Sequence, residues 1–481
     1  MKKLLIFVSG VLAVLIIIVL FRTVASKSKQ VSVPASPSLT VPDSVLTHLQ
    51  QAIRFKTVTN EDGKMDSSAF AAFHLFLQHT FPLIDQQLQK EIVSGYTLLF
   101  HWKGKNASAK PIILMAHQDV VPVEESSIHL WKADPFSGEL KDGYVWGRGT
   151  EDDKGSLMAL LEGIEKLLKE GFQPFCDVYI ALGHDEEANI QSGANRIVTL
   201  LQKRQIKPAF VLDEGGEITA NEIPGIASPV AVVGIAEKGY VTLELKIIIP
   251  GGHSSMPKKE TSIDQLAKAV IKLEENPFPA DFNVTVNSFM DYIGPEMPFS
   301  QRLAFANRWL FSPLIKRIYS DKASGDAMIR TTTAPTIFQS GVKENVIPSV
   351  ATAIINFRTL PGTSTDDVIA HTKKVINDKR ISITVRDGGD TPDIVADVED
   401  VSFRYLQRTI RSWRNDVLVT PYLVLGRTDG RYFTALTKQV YRFIPFNDFK
   451  GFHGVNEKVG ADEFKQAVLF YYFLVKGYNG Q

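Results

Sequence analysis

Apolar residues recur at positions 157, 160, 161, 164, 167 and 168 between Lys154 and Glu170. That spacing predicts one helix, which Gly171 ends. Three shorter runs lack this period. Ile112-Ile-Leu-Met-Ala116, Val178-Tyr-Ile-Ala-Leu-Gly183 and Phe210-Val-Leu212 are nearly all apolar and are predicted as buried strands. Strand-like and helix-like runs alternate from about Pro42 to about Ala236. The expected fold class is therefore α/β, with a mostly parallel sheet and helices on both faces.

The pattern then changes. Val241, Leu243, Leu245 and Ile247 alternate with Thr, Glu and Lys, which predicts a half-exposed strand. A helix at 262–274, strands near 336–338 and at 351–359, a helix at 366–377 and a strand at 381–386 follow. That βαββαβ order is that of a small α+β sandwich interrupting the first domain. The expected division is a catalytic domain from 43–236 and 389–481, with a lid at 237–388. Residues 288–330 are an extra insertion within the lid. Met297 to Tyr319 is strongly apolar and is expected to form one or two helices packed on the lid. The functional alternative is a greasy wall beside the active site.

Lys2-Lys3 precede an uncharged apolar stretch from Leu4 to Phe21. Eighteen residues is long for a signal-peptide core and near the lower limit for spanning a bilayer. Residues 1–25 are therefore expected to be a membrane anchor with the catalytic part exported, on the periplasmic or extracellular side. A cleaved signal peptide and a secreted product are the alternative, with a weak cleavage site at Val24-Ala25-Ser26. Residues 26–42, rich in Ser, Pro and Val, read as a linker.

Lys+Arg and Asp+Glu balance at 53 each, and no basic stripe is present, which argues against a nucleic-acid partner. A single cysteine, Cys176, excludes an internal disulfide and a Cys-rich zinc site. The chemistry lies elsewhere. Ligands of open α/β sheets bind outside the carboxyl ends of the strands. The three apolar runs end there in His117-Gln-Asp119, in Glu186-Glu187 and in Asp213-Glu214-Gly-Gly216. His, Asp and Glu are the ligand set of a hydrolytic metal site. Asp152, on the glycine-rich turn before the predicted helix, and His453 complete the candidates. Periodicity does not choose between Asp152 and Asp153.

The segments His117-Gln-Asp-Val-Val-Pro122, Gly147-Arg-Gly-Thr-Glu-Asp-Asp-Lys-Gly155, Gly183-His-Asp-Glu-Glu187, Asp213-Glu-Gly-Gly216, Gly252-His-Ser-Ser255 and Phe452-His-Gly-Val-Asn-Glu457 stand in this order. Together they resemble the aminoacylase/carboxypeptidase family of dizinc metallopeptidases. The branch is that of carboxypeptidase S and the N-fatty-acyl-amino-acid synthase/hydrolase. The resemblance spans roughly residues 43–475 and implies the following roles. Asp152 bridges two zinc ions, for which cobalt or manganese are substitutes. His117 and Asp213 complete one site, Glu187 and His453 the other. Glu186 is the general base, Asp119 holds the far ring nitrogen of His117, and a cis peptide often follows the bridging Asp. His253 and Asn345 reach an active site, in cis or from a partner across a lid dimer. Arg358 grips the substrate carboxylate, with Thr428 and Arg431 as further candidates. Lys154 and Glu457 are structural.

The implied reaction is hydrolysis of an amide beside a free carboxylate, in an N-acyl (fatty acyl) amino acid, with the reverse condensation possible. A carboxypeptidase acting on short peptides is the alternative. A non-catalytic membrane-tethered binding protein is the alternative of another class, disfavoured because all six candidate ligand and base residues are present.

Overall fold

The three apolar runs that end in acid or imidazole are neighbouring strands. The computed structural model describes residues 1–60, 63–188, 192–388, 394–447 and 451–480. The larger sheet starts with β1 (Gln89–Val93), β2 (Thr97–Trp102), β3 (Ile112–His117), β4 (Val178–Gly183), β5 (Phe210–Asp213) and β6 (Val230–Glu237). The smaller sheet follows, with β7 (Gly239–Ile248), β8 (Thr332–Ser340), β9 (Val350–Thr359) and β10 (Ile381–Gly388). The chain then returns to the larger sheet with β11 (Leu418–Val424) and β12 (Val440–Arg442). The expected start of the second catalytic segment at 389 falls outside the described residues.

Across the larger sheet the order is β1-β2-β4-β3-β5-β12-β6-β11. Its centre is parallel: β4 with β3, β3 with β5 and β5 with β12, as is β6 with β11. Antiparallel pairs occupy the β1–β2–β4 margin and the β12–β6 seam. In the β3–β4 register His117 lies opposite Gly183, so both strands release their acidic segments at one edge.

The helices used below are α1 (Lys2–Ala25), α2 (Lys154–Lys169), α3 (Ser262–Glu275), α4 (Val284–Ile293), α5 (Phe299–Ala306), α6 (Arg308–Ser320), α7 (Ala323–Ile329), α8 (Thr365–Ile376), α9 (Val401–Trp413) and α10 (Ala461–Gly477). One face of the larger sheet is closed by residues of α2, α9, α10 and the helix Ser44–Ile53, through Leu49, Leu157, Ile164, Phe403 and Phe464 among others. The helix Ala194–Lys203 closes the other through Ile197, Val198 and Leu201. Cys176 is a buried core residue, and burial pushes its thiol up to about 11.

In the smaller sheet the order is β8-β9-β7-β10, antiparallel throughout. The alternation of Val241, Leu243, Leu245 and Ile247 places all four in a core with Leu266 of α3 and Val368 of α8. Both helices start with a capping box, Thr261 with Asp264 and Ser364 with Asp367.

The apolar insertion departs from expectation. It does not pack on the smaller sheet. Val286, Phe289, Met290 and Ile293 of α4, with Ile315 of α6 and Ile329 of α7, pack against Val230 and Val232 of β6. Phe311 and Tyr319 join this cluster with Leu418 and Tyr422 of β11. The physical reason is an uncovered flank: β11 ends the larger sheet, which also explains how it tolerates Pro421. A helical pattern marks which side chains seek burial, not which surface supplies it.

Leu4–Phe21 lies within one helix, α1, whose 24 residues are long and apolar enough to cross a membrane. Only Val19 and Thr23 of it are buried. Residues 26–42 form neither helix nor strand, but they are not a loose tether. Gln30 Oε1 accepts the Val419 backbone N–H and Gln30 Nε2 donates to the Val419 carbonyl, each at 2.9 Å. Gln407 and Arg411 donate to the carbonyls of Lys29 and Val31, and Ser36 is bonded to Ser412.

Candidate active site

Backbone geometry carries the acidic groups to one place. β3 delivers His117, the segment after β4 delivers Glu186 and Glu187, and the segment after β5 delivers Glu214. Asp152 comes from the turn before α2, joined to Asp153 by a cis peptide. That turn passes so close to α2 that a Cβ on Gly155 would sit 2.2 Å from the Thr150 carbonyl oxygen, so only glycine fits. Glu457 holds the turn against the loop that carries His453. Its Oε1 accepts from the backbone N–H of Gly149, Glu151 and Asp152, and its Oε2 from Arg148 Nη1 at 2.6 Å.

Asp152 divides its two oxygens. Oδ1 lies 2.8 Å from His117 Nε2, and Oδ2 lies 3.0 Å from His453 Nε2. His453 Nε2 is also 3.1 Å from Glu187 Oε2, and His117 Nε2 is 3.6 Å from Glu214 Oε1. Two donor sets result, His117–Asp152–Glu214 and Asp152–Glu187–His453, each with its ligand atoms within 4.8 Å of one another. One expected ligand is placed differently. Asp213 is not in the first set. Its Oδ2 accepts the Gly430 backbone N–H at 2.5 Å. Asp213 closes β5 and Glu214 is the next residue, and successive side chains of an extended segment point to opposite sides.

Asp119 is fully buried and does more than face His117. Its Oδ1 is 3.4 Å from His117 Nδ1, which also lies 2.9 Å from the Asp119 carbonyl oxygen. The same carboxylate accepts the backbone N–H groups of Glu186 and Glu187 at 3.3 and 3.2 Å. One side chain thus orients a histidine of one set and the backbone of the Glu186-Glu187 pair.

The electrostatics of this cluster call for cations. Burial pushes the carboxyls of Glu186 and Glu214 well above their usual range, and the Asp152 charge raises both further. Burial, then Asp152, carries Glu187 up to about 7. Asp152 is the exception: burial opposes its ionisation, but His117 and His453 hold it below the ordinary range. Hydrogen bonds to Asp152 and Glu187 lift His453 to about 10. So many buried carboxyls sharing one site resist simultaneous ionisation unless positive charge joins them. Glu187 Oε1 is buried with no hydrogen-bond partner among the described residues. The donor set, the crowded carboxyls and this orphaned oxygen all fit two divalent ions.

The remaining expected residues are distributed differently. His253 and Asn345 are both exposed where Gly252–His253 pairs antiparallel with Val346–Ile347, two segments far apart in the chain. His253 Nδ1 is 2.8 Å from Ser255 Oγ, and neither His253 nor Asn345 joins the donor sets. The Arg358 guanidinium lies over the Tyr240 ring at 4.8 Å, and Arg427 over the same ring at 5.8 Å. Burial, above all, holds the Arg358 guanidinium below its usual range, and Arg427 adds to it. Sequence reasoning missed Arg427 as a partner of Arg358, although it stands between Gly426 and Thr428 in the same loop.

Thr428, an expected substrate contact, is held in a buried network. It is buried, and its N–H and hydroxyl both bond Glu237 Oε2 at 3.1 Å. Arg442 Nε donates to the same oxygen at 2.8 Å. Arg431 bonds the Thr428 carbonyl and the Tyr432 hydroxyl. The side chains of Glu237 and Arg442 are 2% and 0% exposed, so cutting the pair strands a buried charge. Glu237→Ala is expected to cost about 3–5 kcal/mol of stability, read as a lower midpoint in urea unfolding. An unchanged midpoint would remove the network's structural role.

A family model described as peptidase family M20/M25/M40 matches residues 113–477. "Probable carboxypeptidase S-like 2" of Dictyostelium discoideum is 41% identical over 98% of this chain and 93% of its own length. The human N-fatty-acyl-amino acid synthase/hydrolase PM20D1 is 41% identical over 89% of this chain and 86% of its own. Among solved structures, an M20 family metallo-carboxypeptidase from Sulfolobus solfataricus superposes with a TM-score of 0.64 at 18% identity, covering 90% of this chain and 99% of its own.

Proposed function

From its membership of peptidase family M20/M25/M40, to which this chain belongs, we propose that it uses two zinc ions to cleave an amide beside a free carboxylate, with N-fatty-acyl amino acids as the preferred substrates. The single observation that carries the reading is the division of Asp152 between two donor sets, with Glu186 held beside them by Asp119. His117, Asp152 and Glu214 would hold one ion, and Asp152, Glu187 and His453 the other. Bound there, the ions supply Lewis acidity toward the amide carbonyl and lower the pKa of water. Cobalt or manganese could replace zinc at the same donors.

Glu186 belongs to neither donor set, which leaves its carboxylate for proton transfer. It takes a proton from the attacking water and later delivers it to the leaving amine. Asp119 keeps Glu186 and His117 in place for both steps. Arg358, with Arg427 on the same Tyr240 ring, grips the free carboxylate of the substrate. His253 and Asn345 are exposed beside one antiparallel pairing of distant segments, which supports their serving the active site of a second copy across a lid dimer. In this scheme 43–236 and 389–481 form the catalytic domain and 237–388 the lid. α1 anchors the chain with the catalytic part exported, as Lys2-Lys3 on the near side favour.

The substrate class rests on the names of the relatives, which divide between fatty-acyl amino acids and peptides. Full-length protein in mild detergent with zinc should hydrolyse N-oleoyl-phenylalanine at least about tenfold faster, by kcat/KM, than N-carbobenzoxy-Gly-Leu, a margin of about 1.4 kcal/mol in transition-state binding. Faster turnover of the dipeptide would make it a carboxypeptidase acting on short peptides.

A further inference from the structure

Outside α1, a group of large exposed apolar side chains gathers on the insertion. Phe299 of α5 and Trp309, Leu310, Leu314 and Ile318 of α6 are 57%, 54%, 39%, 52% and 57% exposed. Leu310, Leu314 and Ile318 stand at i, i+4 and i+8, so they form one stripe along α6. The neighbouring positions Phe311, Ile315 and Tyr319 point into the core against the larger sheet. The helix is therefore apolar toward its support and apolar again on an outward stripe. Monomeric soluble proteins seldom leave a large contiguous apolar patch uncovered.

What covers it is indicated by where α1 leaves the body. Val19 and Thr23 are the two buried residues of α1, and they bury against the junction of α5 and α6. Asn307, at that junction, is fully buried, and its Nδ2 lies 3.1 Å from both the Val19 carbonyl and Thr23 Oγ1. Arg302 of α5 donates to the Thr23 carbonyl at 3.0 Å and also to the Ser26 carbonyl, closing the C-terminal end of α1. Arg22 Nε returns a bond to the Ala306 carbonyl at 3.3 Å. The apolar stretch of α1 ends at Phe21, two residues beyond Val19, which is about 3 Å along a helix. The clamp thus lies at the depth where the apolar stretch gives way to water. Trp309 is two residues from Asn307, and Trp is a residue that favours the bilayer interface. Arg317 and Lys322 are exposed beside the end of the stripe, cations of the kind that pair with lipid phosphates.

We propose that α5 and α6 form a second membrane contact, their outward apolar side chains lying in the interfacial layer of the same bilayer that α1 spans. This rests on the reading of α1 as a membrane anchor. It goes beyond that reading in fixing the catalytic body flat on the lipid surface instead of suspending it above. The occupant of the stripe is lipid, and its acyl chains meet Trp309 and Phe299.

The test uses the full chain reconstituted into phosphatidylcholine vesicles, either unlabelled or brominated on the acyl chains. Flotation first reports whether the chain is membrane-bound; a chain that fails to float overturns both the anchor and this contact. In the floating chain, the emission lost in Trp309→Phe is the Trp309 contribution among the five tryptophans. Brominated lipid is expected to quench that contribution at least about twofold, as an indole at the acyl boundary should be. A Trp309→Phe/Phe299→Trp chain moves the reporter to α5 and should be quenched likewise. Trp309 emission that brominated lipid leaves unchanged in a floating chain overturns the proposal while the anchor stands. If that emission is also shielded from aqueous iodide, a second copy of the chain covers the stripe.

Discussion

Glu186→Gln should lower kcat by about 1,000-fold or more while leaving the fold and two bound ions per chain intact. The amide is nearly the same size but cannot accept the proton that an attacking water must lose. Three decades correspond to about 4 kcal/mol of barrier. The substitution leaves the scaffold alone because Asp119 holds residues 186 and 187 by their backbone N–H groups, which the change does not touch. Neither donor set includes Glu186, so metal content should equal that of the parent. The decisive pair of measurements is steady-state turnover and metal content by plasma emission. A variant that keeps a tenth of the activity would sink the general-base role. A variant that loses an ion would make Glu186 a ligand.

The second large effect separates two adjacent acids. Glu214→Gln should reduce bound metal from two ions toward one and lower activity more than about 100-fold, beyond the loss usual for a residue that merely supports a ligand. Asp213→Asn should keep both ions. Its amide carbonyl can still accept the Gly430 N–H, and the expected cost is stability, about 1–3 kcal/mol. Metal content of the two purified variants, side by side, decides. Loss of an ion in Asp213→Asn with two retained in Glu214→Gln would restore Asp213 as the ligand.

Asp213 and Glu214 show how much a sequence discloses. The apolar runs before His117, Glu186 and Asp213 announce buried strands, and the acids after them announce a site at one sheet edge. The alternation of Val241 to Ile247 likewise announces a sheet with one buried face, and Leu266 and Val368 cover it as the flanking helical patterns require. Those are properties of period and composition. The choice between Asp213 and Glu214 depends on which way the chain turns in a single residue after β5, and no periodicity records that. Thr428 shows the same gap. Its place in a substrate-like loop was legible. The buried Glu237 and Arg442 that occupy its hydroxyl come from β6 and β12, 205 residues apart in the chain and adjacent only in the sheet. The insertion was legible as helix and as apolar, but its support on β6 and β11 is a fact of tertiary packing.

The bonds of Gln30 have a consequence for how the margin of the larger sheet is protected. β11 is the last strand of the larger sheet, and such a margin invites a stranger's strand. Gln30 answers the Val419 N–H and carbonyl with its own side-chain amide, standing in for a missing neighbour at that point of the ladder. The weak cleavage site at Val24-Ala25-Ser26 lies before it in the chain. A chain clipped there keeps its gatekeeper against aggregation, so shed and anchored forms would share the same protected margin. A chain shortened as far as Val41 would lose it, and the open edge of β11 would become the place where one molecule recruits the next.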